Sequence, residues 1–212
     1  MPQPLPSSWP DQLVLFRRGL NPHPPQRKAE PGRGHAAVAL ILRAGTRGAE
    51  ILYIERAAHP RDPWSGNLAF PGGRIDPTDG GIRQAAERET REEISLDLSG
   101  AHYLGALDDI VGAHLPVRVS CCVYGLPEGE ALALRPNHEV SHHFYMPLAR
   151  LRAPGRHIMA RIDWNGGLRE TPALVLLPPG RPLLWGITYR LTAQFLDRIG
   201  LSLPSPKVVA AP

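Results

Sequence analysis

Short apolar runs of strand length fill the middle of the chain, and glycine, proline or charged residues separate them. HAAVALIL (35–42) and EILYIER (50–56) predict two strands joined by the glycine-containing turn RAGTRG. Six further runs have the same character. They are NLAF (67–70), HYLGAL (102–107), VRVSCCVYGL (117–126), HHFYMPL (142–148), HIMARIDW (157–164) and PALVLLP (172–178).

Apolar residues at helical spacing occur in three segments. The highly charged segment 80–94 predicts one helix, and LLWGITYRLTAQFLDRIG (183–200), which ends in Gly200, predicts a closing helix. SSWPDQLVLFRRGL (7–20) predicts a short docking helix. The order of strands, helix, several strands and helix predicts an α/β fold in which helices pack on a mixed sheet.

Proline marks both ends of the chain and sets the expected domain limits. Residues 1–34 contain eight prolines and are expected to form a Pro-rich N-terminal extension. Residues 201–212 are expected to form an extended, partly disordered tail. A chain of 212 residues can bury a substantial core, so we expect one domain at 35–200.

The composition, 42% hydrophobic and 21% charged, is ordinary for a soluble globular protein. The formal net charge is +4 without a clustered basic stripe, which favours an anionic small molecule over nucleic acid. Cys121 and Cys122 are adjacent, and neighbours rarely bridge each other, so a reducing compartment is expected. The sequence has no apolar run of membrane length and no leader pattern, so we expect a cytoplasmic protein without a membrane partner.

The charged helix carries carboxylates on the side that should face the core. At 100° per residue, one stripe of this helix is apolar in its first half and acidic in its second. The stripe contains Ile82, Ala85, Ala86, Glu89, Glu93 and Leu96, with Glu92 at its edge. This pattern predicts a helix whose N-terminal half packs on the sheet and whose C-terminal half lines a pocket.

The three glutamates repel one another at i,i+3 and i,i+4 spacing, close to the negative end of the helix dipole. Protonation or a divalent cation would relieve the repulsion. Clustered oxygen ligands without Cys or His favour Mg²⁺ or Mn²⁺. The spacing alone is equally compatible with a solvated, salt-bridged face, because Arg88 can reach Glu92.

A glycine pair precedes the helix. Gly72 and Gly73 directly follow a predicted strand, where the backbone could approach a ligand closely and a carbonyl could bind a hard cation. Asp76, Thr78 and Asp79 are typical turn or N-cap residues. The glycine pair favours the pocket interpretation of the acidic stripe.

The glycine pair and the segment Arg88-Glu89-Thr90-Arg91-Glu92-Glu93-Ile94-Ser95-Leu96 resemble the Nudix box, the signature of hydrolases that cleave diphosphates linked to another moiety. The wider resemblance runs from about residue 35 to about 150. The loop is one residue longer than the usual spacing, which leaves Asp79 nearest the usual mid-box glutamate. Ser95 stands where a glycine is usual.

The resemblance implies a Nudix-type α/β/α sandwich and binding of Mg²⁺ or Mn²⁺ by Glu89, Glu92 and Glu93. It also implies a further metal ligand in the Gly73 carbonyl and an orienting role for Arg88. Bound cations would neutralise and position the diphosphate and activate a water. Several members use another carboxylate from outside the helix. Our candidate is Glu139, which precedes a segment resembling the corresponding part of the family, although a surface loop residue is equally compatible.

The upstream segment ILYIERAAHPRDPWSGNLAFPGG resembles the coenzyme A pyrophosphatase branch of the family. Arg56 and Arg61 are therefore candidate phosphate contacts, with Gly72 and Gly73 also close to substrate. Trp64 is expected to pack on the core. Tyr53-Ile54 departs from the branch's usual Leu-Thr.

The sequence thus predicts a metal-dependent hydrolase of the diphosphate linkage in coenzyme A or a related nucleotide. ADP-ribose, a dinucleoside polyphosphate or a damaged nucleoside triphosphate stay open as substrates. A nucleotide-sensing module without turnover is the main alternative class, and the intact glutamates argue against it. The expected partner is a small-molecule nucleotide diphosphate, with a homodimer as an option for assembly.

Overall fold

The computed structural model describes residues 5–20, 25–27, 34–59, 64–112, 117–129, 133–164 and 167–208. The four helices in these ranges are α1 (Trp9–Leu20), α2 (Ile82–Ile94), α3 (Leu148–Leu151) and α4 (Gly186–Arg198). The strands are β1 (Gly34–Gly45), β2 (Gly48–Arg56), β3 (Leu68–Ala69), β4 (Gly72–Arg74), β5 (His102–Ala106), β6 (Ile110–Val111), β7 (Val117–Gly125), β8 (Val140–Pro147), β9 (His157–Trp164), β10 (Gly167–Leu174) and β11 (Lys207–Val208).

The central sheet is mixed, and β1 lies at its centre. Along one edge β1 pairs in parallel with β7, from Gly34 opposite Val117 to Leu42 opposite Gly125. Its other edge is shared: β4 pairs antiparallel with the first part of β1, and β2 pairs antiparallel with its end. The remaining strands β3, β5, β6 and β8 extend the sheet, while β9, β10 and β11 form a separate three-stranded sheet.

Both faces of the central sheet are covered, which explains the nearly continuous apolar sequence of β1 and β7. Along β1, Leu40 belongs to one buried cluster and Ile41 to the other. The first cluster also takes buried side chains from α1, α3 and α4, and the second takes Ala85, Ala86 and Ile94 from α2. The protein is therefore an α/β/α sandwich, as the sequence predicts.

Segments assigned to the two extensions contribute to this packing. Phe16 of α1 is fully buried and meets Phe195 of α4 edge to face at 5.7 Å between ring centroids. The indole N–H of Trp9 donates to the carbonyl of Leu126 at 2.9 Å. In the tail, β11 pairs in parallel with β9. The limits 1–34, 35–200 and 201–212 stay a prediction.

Several predicted boundaries are wrong for identifiable reasons. The strand placed at 172–178 is β10, which begins at Gly167, because the exposed first half of β10 is polar and pairs only with β9. The closing helix begins at Gly186 rather than 183, because Leu184 is extended and exchanges two backbone hydrogen bonds with Leu174. The short elements α3, β4, β6 and β11 were not predicted, since each is too short to show periodicity.

The helix start at 80 is also wrong. Helix α2 begins at Ile82 after Gly81, and no side chain caps it. Asp76 and Asp79 instead close the preceding turn, where each accepts a hydrogen bond within the segment 76–79. None of the helices within the described ranges combines the length and apolarity needed to cross a membrane.

Candidate active site

The acidic half of the α2 stripe faces inward, as the pocket interpretation requires. Glu93 is only 2% exposed, and the side chain of Glu89 is 18% exposed. Glu92, at the edge of the stripe, keeps 55% of its side chain exposed. A solvated face therefore describes Glu92 but not Glu89 or Glu93.

Glu93 is held by the glycine loop and by Arg56. The backbone N–H of Gly72 donates to Glu93 Oε2 at 2.9 Å, and Arg56 Nη1 lies 3.7 Å from Glu93 Oε1. Burial raises the pKa of Glu93 to about 7, against the opposing effects of the Gly72 N–H and the Arg56 charge. The neighbouring charges of Glu89 and Glu139 raise it further. Glu93 thus sits where added positive charge would favour its ionised form.

Gly72 and Gly73 each lie where a side chain would not fit, for two different structural reasons. At Gly72, φ is 147°, and a Cβ would lie 2.4 Å from the carbonyl oxygen of Ala37 on β1. At Gly73, a Cβ would lie 2.5 Å from the carboxylate of Glu89. The first glycine lets β4 approach β1, and the second leaves room for a carboxylate against the backbone.

Arg88 organises the acidic residues around it. Its Nε and Nη2 donate to the two oxygens of Asp79 at 3.0 and 2.9 Å, a bidentate pair. Its Nη1 donates to Glu89 at 2.9 Å and to Glu92 at 3.1 Å. Asp79 thereby fastens the longer loop to α2, a contact that sequence analysis did not predict.

Glu139 reaches the same cluster because its segment is bonded to the end of α2. The N–H of Asn137 donates to the carbonyl of Glu93 at 2.8 Å, and the N–H of Arg135 donates to that of Ile94 at 3.0 Å. These bonds satisfy carbonyls that the helix end leaves unpaired. Asn137 Oδ1 then accepts the N–H of Glu139 at 2.8 Å. Asn137 is a positioning residue that sequence analysis missed.

A cavity of about 1570 Å³ joins these groups. Its charged part includes Arg56, Arg74, Glu89, Glu92, Glu93 and Glu139, together with Gly72 and Gly73. The rest of its wall comes largely from β10 and the first turns of α4 together with parts of β1, β3 and β7. Helix α4 packs on the opposite face of the central sheet from α2. The cavity therefore connects the α2 carboxylates with the α4 side of the molecule.

The candidate metal ligands at the charged end fit a hard divalent cation, because all of them are carboxylate or carbonyl oxygens. The carboxylates of Glu89 and Glu93 are largely buried, and burial also raises the pKa of Glu89. Within the described ranges, no three acidic, histidine or cysteine side chains are already close enough to enclose an ion. Arg88 and Arg56 hold the carboxylates in their present positions.

Seven of the predicted site residues therefore line one end of one cavity: Arg56, Gly72, Gly73, Glu89, Glu92, Glu93 and Glu139. Arg88 does not line it but bonds to Glu89 and Glu92. Arg61 lies outside the described residues. Trp64, which we expected in the core, is instead half-buried in the cavity wall. The closing helix was predicted from the sequence, but its contribution to the cavity wall was not.

Comparison with known proteins agrees with this architecture. A family model described as the NUDIX domain matches residues 33–163. An uncharacterised protein of Schizosaccharomyces pombe is 37% identical over 57% of this chain, and the chain covers only 39% of that protein. The human protein named mitochondrial coenzyme A diphosphatase NUDT8 is 29% identical over 83% of this chain and 74% of its own length. An uncharacterised Nudix hydrolase, NudL, of Shigella flexneri serotype 5b is 32% identical over 84% of this chain and 89% of its own length.

The chain belongs to the NUDIX family of pyrophosphohydrolases, which act on nucleotide derivatives. The resemblance found in the sequence, the α/β/α fold that it implies and the enzyme class are confirmed. The individual roles of the site residues stay predictions.

Proposed function

We propose that this protein is a metal-dependent hydrolase that cleaves the diphosphate linkage of coenzyme A, giving 3′,5′-ADP and 4′-phosphopantetheine. The observation that carries the chemistry is the meeting of Glu89, Glu93 and Glu139 against the Gly72-Gly73 backbone at one end of a large cavity. The support for the substrate comes from the upstream segment and from the human relative named a coenzyme A diphosphatase.

Glu89, Glu92 and Glu93 would hold Mg²⁺ or Mn²⁺, with the Gly73 carbonyl as a further ligand. The bound cation would neutralise the diphosphate and activate a water. Arg88 would keep the glutamate carboxylates oriented through its bonds to Glu89 and Glu92. In this assignment Glu89 and Glu93 act by holding charge at largely buried positions, where fixed charges have a greater effect than in water.

Arg56 would contact a phosphate of the substrate. Its guanidinium already lies at the charged end of the cavity, 3.7 Å from Glu93. A planar fork of donors suits phosphate oxygens, so the Arg56 guanidinium would pair with the diphosphate at this end of the cavity. Glu139 is proposed as the additional carboxylate that acts on the attacking water.

Other nucleotide diphosphates are the second candidate substrates. ADP-ribose has the same diphosphate as coenzyme A, which the charged end would bind. It differs in carrying a ribose, instead of the pantetheine arm, on the side of the diphosphate away from the adenosine. The size of the cavity favours a larger substrate, because pockets for small ligands are commonly about 300–1000 Å³. A sensing module without turnover is less favoured, since the buried carboxylates destabilise a protein that has no use for a cation.

The test is a hydrolysis screen of coenzyme A, ADP-ribose, NADH and nucleoside triphosphates with and without Mg²⁺ or Mn²⁺. We expect coenzyme A to be cleaved fastest, only with metal, and the two products to appear in equal amounts by chromatography. ADP-ribose cleaved far faster than coenzyme A would reject the substrate. No turnover of any compound with either metal would favour the sensing module.

The compartment and the assembly also belong to this proposal. Both cysteines are free and buried, and burial raises the pKa of Cys122 to about 11. Unreactive free thiols suit a reducing compartment, which we expect to be the cytoplasm. Cell fractionation tests the location, and light scattering of the purified protein tests the homodimer.

A further inference from the structure

The α4 side of the cavity is fastened to the rest of the molecule at three points. Leu184, just before α4, exchanges backbone hydrogen bonds of 3.0 and 2.8 Å with Leu174 of β10. The indole N–H of Trp185 donates to Asn67 Oδ1 at 3.0 Å. About two turns further on, the buried hydroxyls of Thr192 and Tyr53 lie 3.1 Å apart. These attachments fix the first turns of α4, which line the cavity from Trp185 to Leu191.

Asn67 joins this wall to the charged end of the cavity. Its backbone carbonyl accepts the N–H of Arg56 at 3.0 Å, and its own N–H donates to the carbonyl of Trp64 at 3.1 Å. Its side chain accepts from Trp185, which is 118 positions away in the chain. One residue therefore sets the separation between Arg56, beside Glu93, and the start of α4. We name the Asn67–Trp185 pair the clasp.

The wall that the clasp holds has a different chemistry from the charged end. Its side chains include Ile162, Thr171, Pro172, Trp185, Ile187 and Leu191. Three charged residues on the same elements, Arg169, Glu170 and Arg190, also line the cavity, and all three are exposed. The less exposed part of the wall consists of methyl, methylene and ring groups with a few hydroxyls, which favours an extended, largely uncharged organic arm over another phosphate.

We propose that the clasp makes the α4 wall a specificity element, which selects diphosphates that carry a long, largely uncharged arm. This inference rests on the proposed function for its choice of substrates. Asn67 and Trp185 are positioning residues here: they hold the wall at a fixed distance from Arg56, so that the arm and the diphosphate bind together. The pantetheine arm of coenzyme A has this character, whereas the terminal ribose of ADP-ribose is short and rich in hydroxyls.

Two substitutions remove the clasp. Trp185→Phe keeps an aromatic ring and removes the donor, and Asn67→Ala removes the acceptor. Trp9→Phe is a matched control, because the Trp9 indole makes a hydrogen bond of similar length, 2.9 Å, to a backbone carbonyl outside the cavity lining. Urea unfolding of all three variants measures any general loss of stability.

The experiment measures kcat and KM of each variant with coenzyme A and with ADP-ribose. We expect Trp185→Phe and Asn67→Ala to raise KM for coenzyme A about five- to tenfold, the effect of one lost hydrogen bond, with kcat within about twofold. Their KM for ADP-ribose should change by less than about twofold. The double variant should be no worse than either single one, because both remove the same contact.

Equal losses on both substrates, or a loss in Trp9→Phe as large as in the clasp variants, would overturn the proposal and leave the clasp a general support of the fold. Unchanged KM for coenzyme A would overturn it as well. If the unmutated protein cleaves neither compound, the proposed function fails, and calorimetric binding of 4′-phosphopantetheine decides about the clasp. Binding weakened at least fivefold by Trp185→Phe and not by Trp9→Phe supports it, and equal binding by all three proteins rejects it.

Discussion

Replacing Glu93 by glutamine tests whether the acidic stripe of α2 is strained until it binds a cation. The glutamine amide has nearly the shape of the carboxyl group, and its oxygen can still accept the N–H of Gly72 that now bonds Glu93 at 2.9 Å. The substitution therefore removes a buried negative charge and keeps the hydrogen bond. We expect it to stabilise the metal-free protein at neutral and alkaline pH and to abolish its response to Mg²⁺.

The size of the effect follows from the pKa of Glu93, which burial raises from 4.5 to about 7. Between these two values the native protein binds more protons than the unfolded chain, so its free energy of unfolding falls as the pH rises. Each pH unit of pKa difference corresponds to about 1.4 kcal/mol, which gives a loss of about 3 kcal/mol that is complete above pH 7. Glu89, whose pKa is also raised by burial, adds to the loss in the same direction.

The assay is urea unfolding at pH 5, 6, 7 and 8 in EDTA, followed by tryptophan fluorescence. The unmutated protein should lose stability across this range, and Glu93→Gln should show a flatter profile. Glu128→Gln is the control, because Glu128 is exposed and its loss should leave the profile unchanged. With Mg²⁺ at 100 times its dissociation constant, the unmutated protein should gain about 2.7 kcal/mol at pH 8, and the Glu93→Gln variant should gain little.

Parallel pH profiles for the unmutated protein and Glu93→Gln would refute the assignment of a strained, buried carboxylate. An unchanged Mg²⁺ response in the variant would refute the role of Glu93 as a metal ligand even if the pH profiles differ. The two arms of the experiment therefore test the electrostatics and the metal site separately.

Three further predictions concern catalysis and the space around the carboxylates. Glu139→Gln should lower kcat, while Mg²⁺ should still raise the melting temperature of the variant. If the variant loses both its activity and its response to Mg²⁺, Glu139 is a metal ligand rather than a group that acts on the water. Arg56→Ala should lower kcat/KM for coenzyme A by one to two decades, the effect of a lost charge-assisted contact of about 1.5–3 kcal/mol. The loss should be smaller for the analogue without the 3′-phosphate, and an equal loss would assign Arg56 to the shared diphosphate. Gly73→Ala should abolish activity by displacing the Glu89 carboxylate, whereas Gly100→Ala, with no atom within 4 Å of its added Cβ, should be neutral in the same assay.

The acidic end of the cavity could be predicted because its signal is local. Glu89, Glu92 and Glu93 lie on one helix, so the helical repeat alone places them on one side. Gly72 and Gly73 stand next to a predicted strand, and their lack of side chains marks a close approach of the backbone. In both cases the residues are close together in the sequence, so the prediction does not require knowledge of any tertiary contact.

The rest of the site depends on contacts between distant segments. Asn67, just before β3, meets Trp185, just before α4, only in the folded protein, and nothing in the local sequence of either residue indicates the other. Asn137 carries Glu139 to the cluster through one backbone bond to Glu93 and one side-chain bond to the N–H of Glu139, and the partner on α2 lies more than 40 positions earlier in the chain. Strand β4, only Gly72–Arg74, has no apolar pattern and exists because the edge of β1 is available to it.

The parallel pairing of β1 with β7 has a consequence for the order in which the protein is made. The central strand is synthesised early, but the strand with which it makes its longest pairing, Val117–Gly125, leaves the ribosome much later. Until then one edge of an apolar strand has no partner, and pairings between distant segments form slowly. A nascent chain that stops short of residue 117 should therefore depend on chaperones, and the glutamate cluster would take shape only after the whole sheet has closed.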